Sequence, residues 1–272
     1  MNLIDDDITN EEDAEMIQFA SKCKGKGKGK GKSKSNAKNS LQIMFTSDEN
    51  IMEIGIDEAG RGPMFGRVYA GAVVLPKDTI SFDHSEMKDS KKFHSKKKIE
   101  QVAEYIKANA IAWAVEFEDE GKIDEINILQ ATQSAMHKAI RNVLSQIAID
   151  NSQVLLLVDG NYFNPFTRLN ATKTKLETIK CQLVEGGDNA FTSIAAASIL
   201  AKVARDQYID ALCLEHPELS ERYGIDSNKG YGSSQHMAGI KQYGITQWHR
   251  KTFGICRKFA AKDAQEKEKE DK

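Results

Sequence analysis

The sequence predicts an α/β domain, a β-sheet covered by helices, and three observations carry that prediction. Residues 154–158 (VLLLV) form an apolar run of strand length, as expected of a strand buried on both faces. From Asp124 to about Ile149, apolar or small residues recur at Leu129, Thr132, Met136, Ile140, Val143 and Ile147. That three-to-four spacing gives a helix one buried face. Strand-like and helix-like runs then alternate along the chain, the signature of sheet and helix layers.

In order, residues 51–56 read as a strand entering a Gly-rich turn, and residues 69–75 as a second strand stopped by Pro76. Residues 96–108 are helical, and 111–118 (IAWAVEFE) are a strand that leads into the long helix. After the apolar strand at 154–158, residues 179–184 make another strand. An Ala-rich helix then runs from Asn189 to about Leu212, where Ala195, Ala196 and Ala197 allow close approach to the sheet. A basic, helical segment occupies residues 220–259.

Composition divides the 272 residues into three expected parts: a Lys/Gly-rich tail at 1–48, a catalytic domain at 49–260 and a charged tail at 261–272. The near balance of 38 Lys and Arg against 40 Asp and Glu hides segregation, because residues 1–20 hold seven acids and residues 21–38 hold eight lysines. The Lys-Gly alternation at 24–32 cannot bury apolar surface, so a flexible tail is expected there. It reads equally as a solubilising or targeting tail and as a loose phosphate-binding arm. No apolar run approaches 18 residues, which excludes a membrane-spanning helix. The start, Met-Asn-Leu-Ile-Asp-Asp-Asp, lacks the basic and apolar stretches of a secretory signal. Cys23, Cys181, Cys213 and Cys256 are widely spaced, so they suit reduced thiols in a cytoplasmic, intracellular protein.

Chemistry concentrates in acids at strand ends. Asp57-Glu58-Ala59-Gly60-Arg61-Gly62-Pro63 follows the first strand, and Asp159-Gly160 follows VLLLV. Desolvating a carboxylate is costly without a compensating cation or donor. Acids converging from neighbouring strand ends offer hard oxygen ligands for Mg²⁺ or Mn²⁺. Asp188, just before the Ala-rich helix, has two readings, as a helix N-cap or as a third such ligand.

Six ordered motifs then point to a family: DEAGRGP at 57–63, DSKK at 89–92, INILQAT at 126–132, VDGN at 158–161, AAASILAKVARD at 195–206 and NKGYG at 228–232. Together they resemble type 2 ribonuclease H, the ribonuclease HII family, over residues 54–253. The resemblance implies a ribonuclease-H-like mixed sheet flanked by helices with a C-terminal helical extension. It also implies cleavage of RNA in RNA–DNA hybrids and cutting 5′ of ribonucleotides embedded in duplex DNA, leaving 5′-phosphate and 3′-hydroxyl ends. The metal-binding acids of that family fall on Asp57, Glu58, Asp159 and Asp188, which are expected to hold two Mg²⁺ or Mn²⁺ ions. Gly60, Arg61 and Gly62 match the turn that contacts the ribose 2′-hydroxyl through its backbone. Tyr231 matches the tyrosine that packs on the sugar at the RNA-to-DNA junction, and Ser90 and Lys91 match a phosphate-contacting loop.

Arg250, Lys251, Arg257 and Lys258 form a second basic cluster suited to tracking a duplex backbone. Lys202 and Arg205 either face the active site or pair with Asp206 and Asp210 at helical spacing. Of the histidines, only His236 lies near a motif, and Trp113 and Trp248 read as packing residues. The turn continues as Met64-Phe65-Gly66-Arg67 where that family more often has smaller apolar residues, a difference that touches packing. The GRGP turn and the absence of room for an N-terminal substrate-binding domain favour type 2 over type 3 enzymes. A monomer acting without a membrane is expected. Rival readings are a carboxylate-metal nuclease acting on another nucleic acid and a non-catalytic hybrid-binding protein.

Overall fold

In a computed structural model, which describes residues 41–261, five strands form one mixed sheet in the order β3-β2-β1-β4-β7. These are β1 (Met52–Ala59), β2 (Val68–Val74), β3 (Ala112–Glu118), β4 (Val154–Asp159) and β7 (Lys180–Val184). β1, β2 and β3 meander antiparallel, whereas β4 runs parallel to β1 and β7 parallel to β4. Each parallel step needs a crossover. The helix α2 (Glu120–Gln146) lies in the connection from β3 to β4.

Strand alternation sends residues to two different helix layers. Ile54 and Ile56 of β1, Ala70 and Ala72 of β2, and Leu156 and Val158 of β4 pack against Ala135, Met136, Ala139, Ile140 and Val143 of α2. On the opposite face, Val73 packs with α1 (Lys96–Asn109) and with Ala195, Ala196 and Ala197 of α3 (Thr192–Glu215). The Ala-rich helix approaches the sheet closely because β1 and β2 carry glycine beneath it. A Cβ on Gly55 would lie 2.2 Å from the Ser193 carbonyl carbon, and one on Gly71 would lie 2.4 Å from the Ala197 oxygen. Gly55→Val is therefore expected to destabilise the fold by roughly 3 kcal/mol or more, read from thermal unfolding. A loss under 1 kcal/mol would show that α3 yields easily.

The strand and helix expectations hold, with three differences. The acids Asp57 and Glu58 belong to β1 itself, because the strand runs three pairs past the expected end, to Ala59 opposite Tyr69. The long helix starts earlier, at Glu120, and kinks at Asn127, whose φ of +66° breaks the helical path. The Asn127 side chain then accepts the Gln130 amide and restarts the helix as a cap. Finally, a small hairpin of β5 (Thr167–Leu169) and β6 (Leu176–Thr178) has no counterpart in the sequence reading. Its three-residue strands are too short to show a period.

Beyond α3 come α4 (Pro217–Tyr223), α5 (Ile225–Asn228) and α6 (Ser234–Tyr243), the expected helical extension. They surround a separate core of Phe65, Ile209, Leu219, Tyr223, Ile225, Ile240 and Cys256, with Trp248 at its margin. The charged C-terminal tail beyond residue 261 and most of the Lys/Gly-rich segment lie outside the described residues, but residues 42–48 are tied to the rest of the fold by hydrogen bonds. The Gln42 amide donates to the Ala190 carbonyl at 2.8 Å, and Glu53 accepts the Phe45 and Thr46 amides, each at 2.8 Å. The body of the protein thus begins upstream of residue 49, where composition had placed tail. Among the described residues, no helix is long and apolar enough to cross a membrane.

Candidate active site

Parallel pairing brings the acids together. β1 and β4 run in the same direction, so Asp57 and Glu58 at the end of β1 reach the same sheet edge as Asp159 at the end of β4. Val184 of β7 stands opposite Asp159. The chain then turns at Gly186 (φ +67°) into Gly187–Asn189, which presents Asp188. Asp188 does not cap α3: the cap position is Phe191, with no side-chain hydrogen bond. All four carboxylates line one cleft of about 470 Å³, together with Gly60, Arg61, Gly62, Ser90, Lys91 and Tyr231. The four acids, the turn residues, Ser90, Lys91 and Tyr231 therefore border a single cavity, whereas the basic cluster from Arg250 to Lys258 does not.

The acids are crowded and poorly solvated. Asp57 is 5% exposed and Asp188 is 7% exposed. Burial raises the Asp57 carboxyl well above the usual carboxylate range, and the charges of Glu58 and Asp159 raise it further. Burial also raises Glu58, which the neighbouring Arg61 guanidinium opposes from 3.3 Å. Asp188 is raised by burial, then by Asp89 and Asp159. Main-chain donors fix the geometry: the Glu58 amide gives to Asp57 Oδ1 at 2.7 Å, and the Gly187 amide gives to Asp159 Oδ1 at 2.6 Å.

Around the acids, Ser90 is buried and shares a hydrogen bond with Ser198 of α3 at 3.0 Å. Ser198 in turn eases the Asp57 carboxyl. Asp89 caps the short turn that carries Lys91, and Lys92 Nζ donates to the Asn189 side chain beside Asp188. Gly60 adopts φ +92°, and a Cβ there would strike Arg205 at 2.3 Å, so only glycine fits. The Tyr231 ring is 52% exposed and lies over the turn, 3.3 Å from where a Gly62 Cβ would sit.

Several neighbours were missed or misread in the sequence. Ser198 and Asp89 sit inside the quoted motifs and Asn189 just before the Ala-rich helix, but their partners are distant in the chain. Lys202 and Arg205 both line the cleft, and Lys202 also pairs with Asp206 at 2.8 Å, as helical spacing allowed. Arg205 instead donates to the carbonyls of Phe65, Arg67 and Lys229. The basic-cluster reading of Arg250 is corrected: it is fully buried and donates only to main-chain carbonyls, so it cannot track a duplex. Lys251, Arg257 and Lys258 remain exposed.

His236 is also buried, and it belongs to a directional chain of hydrogen bonds. Thr246 N donates to His249 Nδ1 at 2.9 Å, which leaves the neutral ring its proton on Nε2. That nitrogen gives to His236 Nε2 at 3.1 Å, and His236 Nδ1 gives to the Tyr231 carbonyl at 2.9 Å.

Residues 54–256 match the family described as Ribonuclease HII. The chain belongs to the ribonuclease HII family. It is 42% identical over 204 residues to Ribonuclease HII of Parabacteroides distasonis, covering 75% of this chain and 90% of that protein. It is 38% identical over 215 residues to Ribonuclease HII of Neisseria gonorrhoeae, covering 79% and 98%. Among solved structures, ribonuclease H2 from Pyrococcus horikoshii OT3 superposes with a TM-score of 0.59 at 25% identity, covering 78% of this chain and 98% of that one. The protein is accordingly a ribonuclease H hydrolase, a metal-dependent endonuclease of the kind that degrades RNA in RNA–DNA hybrids and nicks at embedded ribonucleotides.

The donor set suits the metal dependence of ribonuclease HII. All four candidate ligands are carboxylates, the donors that hard divalent cations prefer. Among the described residues, no group of three or more acids, histidines or cysteines is gathered closely enough to hold a metal ion as it stands. An open arrangement suits ions that keep waters and take further oxygens from a substrate phosphate. Burial, and after it repulsion from neighbouring acids, raises Asp57 and Asp188, and a bound cation would relieve that repulsion.

Proposed function

We propose that Asp57, Glu58, Asp159 and Asp188 hold two divalent cations, Mg²⁺ or Mn²⁺, and that the cleft cuts on the 5′ side of a ribonucleotide to leave 5′-phosphate and 3′-hydroxyl ends. The observation that carries this reading is the convergence of the four carboxylates with the Gly60–Arg61–Gly62 turn and Tyr231 around one cavity. When bound, such ions activate the attacking water and stabilise the leaving oxygen. The protein's own groups supply position. Asp57 and Asp159 each have Oδ1 held by a main-chain amide, of Glu58 and Gly187, at the wall of the cleft. Arg61 restrains Glu58, and Lys91 provides a cation at the rim for a phosphate.

The turn and Tyr231 account for substrate choice. A backbone turn with glycine at both flanks lets main-chain donors approach a ribose without side chains in between, and the 2′-hydroxyl separates RNA from DNA. The exposed Tyr231 ring is placed to pack on the next sugar. We assign catalysis to one domain, residues 49–260 with the hydrogen-bonded segment 42–48, working as a monomer on hybrids and ribonucleotide-containing duplexes inside the cell.

The test is cleavage of a duplex carrying one ribonucleotide, beside an all-DNA duplex, with Mg²⁺ and with EDTA. Cutting of the first alone, and only with metal, is expected; equal cutting of both would defeat the 2′-hydroxyl reading. Tyr231→Ala should lower kcat/KM on the single-ribonucleotide duplex by about 10-fold relative to an all-RNA hybrid, since stacking on an aromatic ring is worth about 1–3 kcal/mol. An unchanged ratio would remove Tyr231 from junction sensing.

A further inference from the structure

From Gly60 to Arg67 the chain turns its carbonyls inward onto two buried arginines. The five N–H groups of Arg250 are all spent on this loop. Nε gives to Gly66 O at 2.8 Å, Nη1 to Arg61 O at 3.0 Å and Pro63 O at 2.8 Å, and Nη2 to Gly60 O at 2.6 Å and Arg67 O at 3.1 Å. The Arg250 amide adds a bond to Met64 O at 2.8 Å. From the other side, Arg205 gives to Phe65 O and Arg67 O, each at 3.3 Å. Neither arginine forms a salt bridge with a carboxylate among the described residues. A guanidinium buried without a counter-ion is an expensive way to fill space, and only its planar fork can collect five acceptors at once.

Peptide geometry converts those carbonyls into a statement about amides. In a planar trans peptide the N–H of each residue points opposite to the carbonyl before it, and there are no cis bonds among the described residues. With the Pro63 and Phe65 carbonyls turned in, the amides of Met64 and Gly66 point out, where they bond to Gly230 O and Trp248 O, each at 2.9 Å. With the Gly60 and Arg61 carbonyls turned in, the amides of Arg61 and Gly62 point out as well. These two make no hydrogen bond among the described residues, and both residues line the cleft of the four acids.

We propose that Arg250 is a positioning residue for ribonucleotide recognition: by gathering five carbonyls of residues 60–67, it aims the amides of Arg61 and Gly62 into the cleft. This rests on the reading of the Gly60–Arg61–Gly62 turn as the ribose contact. Arg250 touches no substrate itself. Lysine at this position would keep the charge but lose the fork, leaving the loop free to rotate its peptide planes.

The experiment compares Arg250→Lys, Gly62→Val and the core variant Val143→Ala with wild type at a temperature where all are folded by circular dichroism. It measures kcat and KM on a single-ribonucleotide duplex with Mg²⁺, and Kd for an all-DNA duplex in EDTA. Arg250→Lys should lose about 10²-fold in kcat, the effect of misplacing a contact by about 1 Å. Its KM and all-DNA Kd should stay within about threefold of wild type, because the lost contact belongs to the transition state. Val143→Ala, which only loosens the core, should keep its kcat. Wild-type kcat in Arg250→Lys with a clear loss in Gly62→Val overturns the positioning role alone. Wild-type kcat in both variants overturns the ribose reading of the turn. If Arg250→Lys does not fold, Arg205→Lys, which loosens the same loop from the other side, should lose about 10-fold in kcat; unchanged kcat there overturns the proposal.

Discussion

Asp57→Asn should lower the single-turnover cleavage rate by about 10³-fold or more with saturating Mg²⁺, and yet unfold at a higher temperature than wild type in EDTA. The first effect follows from the loss of one anionic oxygen at the end of β1, where transition-state charge stabilisation of about 4 kcal/mol is at stake. The second follows from burial. Asp57 is 5% exposed and faces the charges of Glu58 and Asp159, so the metal-free fold holds a carboxylate it would rather not ionise. Asparagine keeps Oδ1 for the Glu58 amide and removes the charge. A gain on the order of 1 kcal/mol, a few degrees in Tm, is expected. Retention of cleavage within tenfold of wild type would remove Asp57 from the ligand set. A lower Tm would show that the carboxylate is better compensated than its surroundings indicate.

The second large effect concerns acid. Burial, and then the neighbouring His236 ring, pull His249 down from the ordinary 6.5 to about 3. Below 6.5 the unfolded chain takes up a proton that the folded chain refuses, so stability falls as pH falls from 6.5 towards 3, and the full contribution is present above 6.5. The whole window is worth roughly 4–5 kcal/mol, and about 2 kcal/mol of it is lost by pH 5. His249→Gln removes this titration while the acids of the cleft, whose raised carboxyls act in the opposite sense, stay as they are. Urea unfolding at pH 7.5 and pH 5 should therefore show the wild type losing about 2 kcal/mol more than the variant. Equal losses would mean that His249 takes a proton in the folded state.

The fold was largely legible because its signals are local. VLLLV at 154–158 and the spacing from Thr132 to Val143 each reflect burial along one element, and each became that element, β4 and α2. Asp57, Glu58 and Asp159 stood out as strand-end carboxylates inside ordered motifs, whereas Asp188 lay outside those motifs and kept two readings until the resemblance was drawn. What escaped the reading was pairing across the chain. Arg250 looked like any surface base, and only its meeting with five carbonyls at 60–67 shows why it is buried. His236 and His249 have no recognisable spacing, because their link depends on α6 folding back against the loop before Arg250. The short strands β5 and β6 carry too few residues for periodicity to register.

The reach of Arg250 bears on how the protein comes into being. Its guanidinium bonds to the Gly60 carbonyl across 190 positions of sequence, and Asp57 meets Asp159 and Asp188 only after two crossovers. Chains emerge from the ribosome N-terminus first, and contacts this distant must wait for their late partner. The meander of β1, β2 and β3 can form early, but the loop at 60–67 stays unorganised until residue 250 has left the exit tunnel. A growing chain therefore carries its first two acids long before it has a working blade, and the loop beside them gains its buried arginine only once residue 250 has emerged.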